Sequence, residues 1–202
     1  ITSHLDSMEP GPEADKGLFP LQVGAALTDI RKGCQTDDTG ETISLKNRNY
    51  CECTGLYWMW KNTCGQKYIG LEHYRRRLML GDAAIQEIMD RNLDMVVGIP
   101  HFCPYGVKHM VLGEVITERE WVLLKECVKT VDSSYEKYVE KLESNYFHIS
   151  CNLVLCKREI FDKYCSFAFS VAFRIEDYFV QHKIERNDRY MGYIFEYMLN
   201  IL

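Results

Sequence analysis

A chain of 202 residues that is 47% hydrophobic and 12% aromatic carries enough core-forming side chains to fold as a packed domain, which excludes extended disorder. Its formal net charge of −5 argues against a general nucleic-acid binder, whose phosphate-neutralising surface must be basic. No apolar run approaches the roughly 20 residues that cross a bilayer, so any membrane association is expected to be peripheral.

The chain opens on a polar, turn-rich segment over residues 1–17, where Pro10, Gly11 and Pro12 block regular structure and Ile1 to His4 read as the end of a strand. Residues 18–27 (LFPLQVGAAL) form a short apolar segment with Gly24 inside it, read as a buried strand or turn. Asp37-Asp38-Thr39-Gly40 is a turn by composition, since Asp side chains bond nearby backbone and Gly admits positive φ. Asn49 with Glu52 three residues on looks like a capping box, and Tyr50, Cys53, Tyr57 and Trp60 recur at helical spacing. A helix over 49–62 with a buried aromatic face is predicted, ended by Asn62 and Gly65.

Residues 67–74 (KYIGLEHY) alternate as a half-buried strand should, and Gly70 inside it implies a close approach to the backbone. Arg75, Arg76 and Arg77 follow where that strand runs out; in an open α/β sheet the ligand crevice lies at such strand ends. A helix over 82–91 and a continuous apolar strand over 93–100, of the kind buried on both faces, come next. Residues 101–113 read as a loop, 117–143 as a helix, 149–156 (ISCNLVLC) as a strand holding Asn152, 158–179 as an aromatic-rich helix and 189–202 as an amphipathic one. The alternation of helices and strands is α/β, and one domain over 1–202 is the economical reading.

The nine cysteines sit mostly in apolar or helical stretches, with no C-x-x-C pair and no secretory leader at the start. They are read as reduced core thiols of a cytoplasmic protein rather than as disulfides or a zinc site.

The runs DDTGETIS, KNRNYCECTGLYWMWKN, YIGLEHYRRR and CNLVLCKREIFDKYC, with the closing RYMGYIFEYMLNIL, resemble a bacterial family of glycosyltransferases from capsular and exopolysaccharide gene clusters, long catalogued as a domain of unknown function. The resemblance covers nearly the whole chain. It implies a single GT-A-like (Rossmann-like) domain with a mixed, mostly parallel sheet flanked by helices, of which Ile1 to His4 would be the end of the first strand. It also implies a shortened loop over 107–118. The implied activity is transfer of a hexose, of galactose or galactofuranose type, from a UDP-linked nucleotide sugar to a glycan or lipid-linked oligosaccharide acceptor, at most peripherally at the inner membrane face.

Such a transfer builds negative charge on the departing diphosphate and requires a base for the acceptor hydroxyl. GT-A enzymes commonly hold a divalent metal on the diphosphate with an Asp-x-Asp motif; this chain has Glu72-His73-Tyr74-Arg75-Arg76 at the corresponding place. The expectation is therefore that Arg75 and Arg76, with His73, take over some or all of the charge neutralisation, since guanidinium forks suit phosphate oxygens, with Tyr74 beside them in the donor site, against the plainer reading of a solvated strand end. No metal ligand is assigned, although a divalent metal is not excluded. Asp37, Asp38 and Thr39, with Asn47, could accept from ribose or sugar hydroxyls or simply form a turn, and Asn152 could reach the sugar or bond a loop carbonyl. Tyr57, Trp58 and Trp60 could stack on a base or pack in the core, while Glu52 and Lys61 could cap, face solvent or join the site. Glu196 is the expected general base, with Asp188 as the other catalytic candidate and Asp177 also considered; an ion pair to a nearby arginine is the plainer role. Two other classes stay open: a non-catalytic sugar-nucleotide or glycan-binding module, and a sugar phosphotransferase, which the absence of a Walker-type Gly-rich loop disfavours.

Overall fold

In chain order, the computed structural model begins with a two-residue strand β1 (Leu21–Gln22), a 3-10 turn at Ala25–Leu27, strand β2 (Gln35–Thr36), a 3-10 turn at Ser44–Lys46, and helices α1 (Asn47–Tyr50) and α2 (Cys53–Asn62). The residues described are 1, 3, 17–112 and 115–202, so the loop expected over 1–17 lies almost wholly outside the described residues, as does part of the shortened 107–118 segment. Strand β3 (Tyr68–Leu71), helix α3 (Asp82–Asp90) and strand β4 (Met95–Val97) follow, then β5 (His101–Phe102), α4 (Val107–Val111), α5 (Glu118–Val131), α6 (Glu136–Glu143), β6 (Phe147–His148), β7 (Val154–Lys157), the long α7 (Arg158–Gln181) and α8 (Tyr190–Ile201). The chain divides into two compact units: Ile1–Val97 with Leu153–Asp162, and Gly98–Asn152 with Lys163–Leu202.

In the first unit the main sheet has the order β3-β7-β4, and β7 runs antiparallel to both neighbours. The mostly parallel sheet expected from the family is thus corrected: among the described strands only β1 and β2 pair in parallel. The fold is mixed α/β with a small, largely antiparallel sheet. β7 is central, which explains its strict alternation, with Val154 and Cys156 buried and their neighbours half-buried. Among the described strands β4 pairs only with β7, and it is half-buried along its length, so the strand read as covered on both faces lies at an edge of the described sheet. Gly70 lies opposite Leu155, and a Cβ there would meet the Val154 carbonyl oxygen and stand 2.8 Å from Leu155 Cα. The close approach read from this glycine is therefore that of β7 itself.

The single helix expected over 49–62 is two. Cys51, with φ 51° and ψ −128°, ends α1, and its amide still donates to the Asn47 carbonyl at 2.8 Å. Asn49 lies inside α1 and Glu52 is itself the residue before α2, so the capping box expected at Asn49 and Glu52 does not open a helix. A real one opens α5, where Thr117 Oγ1 accepts from the Glu120 amide and Glu120 Oε2 accepts from the Thr117 amide at 2.7 Å.

In the second unit β5 and β6 form an antiparallel pair, and the stretch expected as a loop over 101–113 contains β5 and α4. The long helix expected over 117–143 is divided by Asp132, whose extended backbone breaks the helix while its carboxylate accepts from the Ser134 amide at 2.9 Å. α5 and α6 are held together by Glu143, which accepts from Trp121 Nε1 at 2.6 Å and pairs with Lys125 at 3.2 Å. α8 is buried on most of its surface, and its Asn200 exchanges hydrogen bonds with both backbone groups of Ile149 at 2.7 and 2.8 Å. Among the described residues no helix is long and apolar enough to cross a membrane.

Candidate functional site

Two turns of the first unit carry most of the predicted donor-binding residues. In the first, Asp37 follows β2 and is fully buried. Its carboxylate accepts from the Gly24 and Ala25 amides at 3.0 and 3.1 Å and from the hydroxyls of Ser44 and Thr54 at 2.5 and 2.6 Å. Thr42 Oγ1 donates to the Asp37 carbonyl as well. Asn47 joins this network through Nδ2, which donates to Thr54 Oγ1 at 2.9 Å and to the Cys51 carbonyl at 2.6 Å. Gly24, in the left-handed region at φ 66°, permits this meeting, because a Cβ there would strike the Asn47 side chain. Asp37 and Asn47 therefore tie the β1–β2 region to α1 and α2.

Asp38 and Thr39 lie further out. Asp38 pairs with Arg31 at 3.0 Å, and Thr39 is held to α2 by Trp58, whose Nε1 donates to the Thr39 carbonyl and hydroxyl at 2.9 and 3.1 Å. Beside them Tyr57 donates to Glu41 at 2.7 Å, and Lys61 stands 3.8 Å over the Trp60 ring and 3.4 Å from Glu41. Burial, reinforced by the Glu41 carboxylate, pushes the Tyr57 hydroxyl up to about 12. The aromatic helix thus fastens the acidic turn rather than merely filling the core.

The second turn follows β3. The His73 amide donates to the Arg76 carbonyl at 3.0 Å and the Arg76 amide returns the bond at 3.2 Å, so Tyr74 and Arg75 form the tip of a tight reversal. The strand expected to run to residue 74 therefore stops at Leu71. Glu72 braces the turn from its far side, pairing with Arg77 at 3.2 Å and accepting from the Leu78 amide at 2.7 Å. Arg75 lies 4.9 Å over the Tyr74 ring, and among the described residues neither Arg75 nor Arg76 has a carboxylate partner; both are exposed. Ile1 runs beside this turn, donating to the Glu72 carbonyl at 2.6 Å and accepting from the Tyr74 amide at 3.1 Å, the bonding pattern of a parallel neighbour. Among the described residues no three His, Cys, Asp or Glu side chains group as metal ligands.

The remaining candidates belong to the second unit. Asn152 precedes β7 rather than lying within a strand: it and Cys151 adopt left-handed φ of 50° and 71°, and its Nδ2 reaches the Gly192 carbonyl at 3.5 Å. Asp188 is paired with Arg186 at 2.6 Å, and that hydrogen-bonded guanidinium holds its carboxyl below the usual range. Arg186 also bonds Glu120 and the Val115 carbonyl, so Asp188 belongs to a clamp that fixes the approach to α8. Glu196 is half-buried on α8. Asp177 lines a cleft of about 300 Å³ with Glu126, Arg174 and Tyr178, apart from Asp188 and Glu196.

Sequence reasoning missed two features. Ser44 and Thr54 complete the Asp37 network, and nothing in their spacing signals it. His148 is buried against the Tyr197 ring at 5.1 Å, and its Nε2 has no hydrogen-bond partner among the described residues. Burial, with His101 across the strand pair, pushes its pKa down to about 4.

A family model described as Domain of unknown function (DUF4422) matches residues 2–202. The chain belongs to that family. No curated protein matches this DUF4422 chain. Among solved structures it is similar to the apo form of WbbM, a bifunctional glycosyltransferase, with 25% identity and a TM-score of 0.82. The likeness covers 99% of this chain and 41% of WbbM, so the chain spans less than half the length of the protein it matches.

Proposed function

We propose that this DUF4422 chain is a glycosyltransferase domain that moves a hexose, of galactose or galactofuranose type, from a UDP-linked donor to a growing surface-polysaccharide glycan. The observation that carries the reading is the likeness to WbbM along nearly the whole chain. In this reading the acceptor is a glycan or lipid-linked oligosaccharide met at the inner membrane face, and the catalytic fold is of GT-A type.

In the reaction the acceptor hydroxyl oxygen attacks the anomeric carbon. The bond from that carbon to the diphosphate oxygen breaks, its electron pair leaves with the nucleoside diphosphate, and the hydroxyl proton passes to a base. Arg75 and Arg76, exposed and without carboxylate partners among the described residues, are suited to the leaving diphosphate. Tyr74 orients Arg75 through its ring. Asp37 and Asn47 serve the donor by fixing the loop that Asp38 and Thr39 present. Asp188, held ionised by Arg186, is a weak proton acceptor, which favours Glu196 as the base.

The test is transfer from UDP-galactose to an oligosaccharide acceptor, read as UDP release and as product mass. Turnover should survive EDTA; complete loss in chelator with recovery in manganese would sink the metal-independent version. Glu196→Gln should reduce turnover about a hundredfold, and near-wild-type turnover removes Glu196 from the mechanism. A non-catalytic binding module gains support from the polar candidates engaged internally, Asp37, Asn47 and Asp188. It predicts binding of UDP-sugars with neither transfer nor hydrolysis, whereas a phosphotransferase would leave phosphate in the product.

A further inference from the structure

The β5–β6 pair of the second unit holds large apolar side chains out in water. Phe102 and Phe147 are 64% and 54% exposed, Tyr105 is 79% exposed and Ile99 is 90% exposed. Single exposed apolar residues are ordinary, but aromatics gathered on one short element mark an interaction surface. The backbone imposes this exposure. Phe102 and Phe147 stand opposite each other across the pair, with ring centroids 5.6 Å apart. His148, the next residue after Phe147, is buried against Tyr197, so strand alternation sends the phenylalanine outward. Cys103, the next residue after Phe102, is buried too. Its amide donates to the Tyr146 carbonyl at 2.8 Å and its carbonyl accepts from the Gly106 amide at 2.9 Å, which closes a turn with Pro104 and Tyr105 at its centre. Fully buried Cys103 and Val107 pin that turn on either side, and the Tyr105 ring meets His109 edge-on at 5.5 Å.

The charge pattern selects the occupant. Residues 95–113 contain no Asp or Glu, although the chain carries 29 of them. The basic side chains of that stretch are Lys108, which pairs with Glu118 and Glu143, and the exposed His101 and His109. A stretch without carboxylates approaches anionic headgroups unopposed, while Phe and Ile enter the acyl boundary and Tyr rings settle at headgroup depth. A second copy of the chain fits less well, because strands of two residues offer few edge groups for pairing. Among the described residues no helix can cross a bilayer, so the contact is interfacial. We propose that the β5–β6 pair and the Pro104–Tyr105 turn form a membrane-binding surface that inserts Phe102, Phe147 and Tyr105 among the lipids of an anionic bilayer. This goes beyond the transfer reading and stands without it, since it concerns lipid contact and not the donor.

The experiment is co-sedimentation of the full chain with vesicles of phosphatidylcholine mixed with phosphatidylglycerol, and with vesicles of phosphatidylcholine alone. The chain should partition onto both and more strongly onto the mixed vesicles. Phe102→Ser with Phe147→Ser should weaken partitioning about tenfold or more, as the partial burial of two aromatic rings implies, and Tyr105→Ser should weaken it about threefold. Phe102→Trp with Phe147→Trp should retain it. Val180→Ser removes an apolar side chain that is equally exposed but lies on α7, and it should change nothing. A wild-type chain that stays in solution with both vesicles overturns the proposal, as does partitioning that ignores the serine pair or falls equally in Val180→Ser. So does a concentration-dependent dimer, seen by sedimentation velocity without lipid, that the serine pair abolishes while vesicle binding is absent. If the serine pair does not fold, Tyr105→Ser decides, and unchanged partitioning in that variant overturns the proposal. Transfer to a soluble oligosaccharide acceptor should be the same in the serine pair as in the wild type, so failure of the transfer reading and failure of the lipid contact are read separately.

Discussion

The turn at Asp37 and the turn at Tyr74–Arg75 both read from sequence as places to hold a nucleotide sugar, and they use their charges in opposite ways. Asp37 is fully buried with four donors on its carboxylate, whereas Arg75 and Arg76 are exposed with no carboxylate against them among the described residues. A buried, fully bonded carboxylate supports the fold; exposed cations on a braced turn are, in the reading proposed above, kept for a ligand. Substitutions should separate the two.

The largest effect is expected at Asp37. Asp37→Ala leaves two amides and two hydroxyls without their acceptor, and the loss should approach about 4 kcal/mol in urea denaturation, since each orphaned buried donor costs about 1–3 kcal/mol and the costs overlap. A loss below about 1 kcal/mol would show that solvent replaces those bonds and would dissolve the contrast.

His148 sharpens the contrast from the other unit, as a buried polar group that is not fully bonded. Its pKa is lowered from 6.5 to about 4 by burial and by His101, so between those values the unfolded chain binds a proton that the folded chain refuses. Stability is therefore unaffected by this group above pH 6.5 and falls as pH drops toward 4, by about 3 kcal/mol in all. In His148→Phe the urea midpoint should lose most of that slope between pH 6.5 and 5; an unchanged slope would mean that His148 takes up its proton in the native state.

The smallest stability effect belongs to the arginine turn. Arg75→Ala with Arg76→Ala should shift folding stability by no more than about 0.5 kcal/mol. The same pair of changes should weaken UDP binding by about a hundredfold, each charge-assisted bond contributing about 1.5 kcal/mol. Unaltered UDP affinity would return the turn to a solvated strand end.

Helix positions were legible because apolar periodicity is local. The helices expected over 82–91, 158–179 and 189–202 appear at Asp82–Asp90, Arg158–Gln181 and Tyr190–Ile201. Strand direction was not legible: an apolar run marks a strand but not its partner, and only pairing shows β7 antiparallel to both β3 and β4. The break at Cys51 was hidden because nothing in the run NYCECTGLYW marks a cysteine for the left-handed region. In the candidate site the arginines were visible as composition. The Asp37 network was not, because its donors lie up to 17 residues away and meet only in the folded chain.

Gly70 carries a different kind of consequence. With the Val154 carbonyl and Leu155 Cα occupying the space of a side chain, no other amino acid fits at that point of β3 without parting it from β7. The constraint comes from the sheet and owes nothing to catalysis. Across DUF4422 sequences, if Arg75 and Arg76 serve the donor as proposed, drift should be able to erase them in lineages that abandon that use while still sparing this glycine, making position 70 a marker of shared ancestry and positions 75 and 76 a marker of retained use.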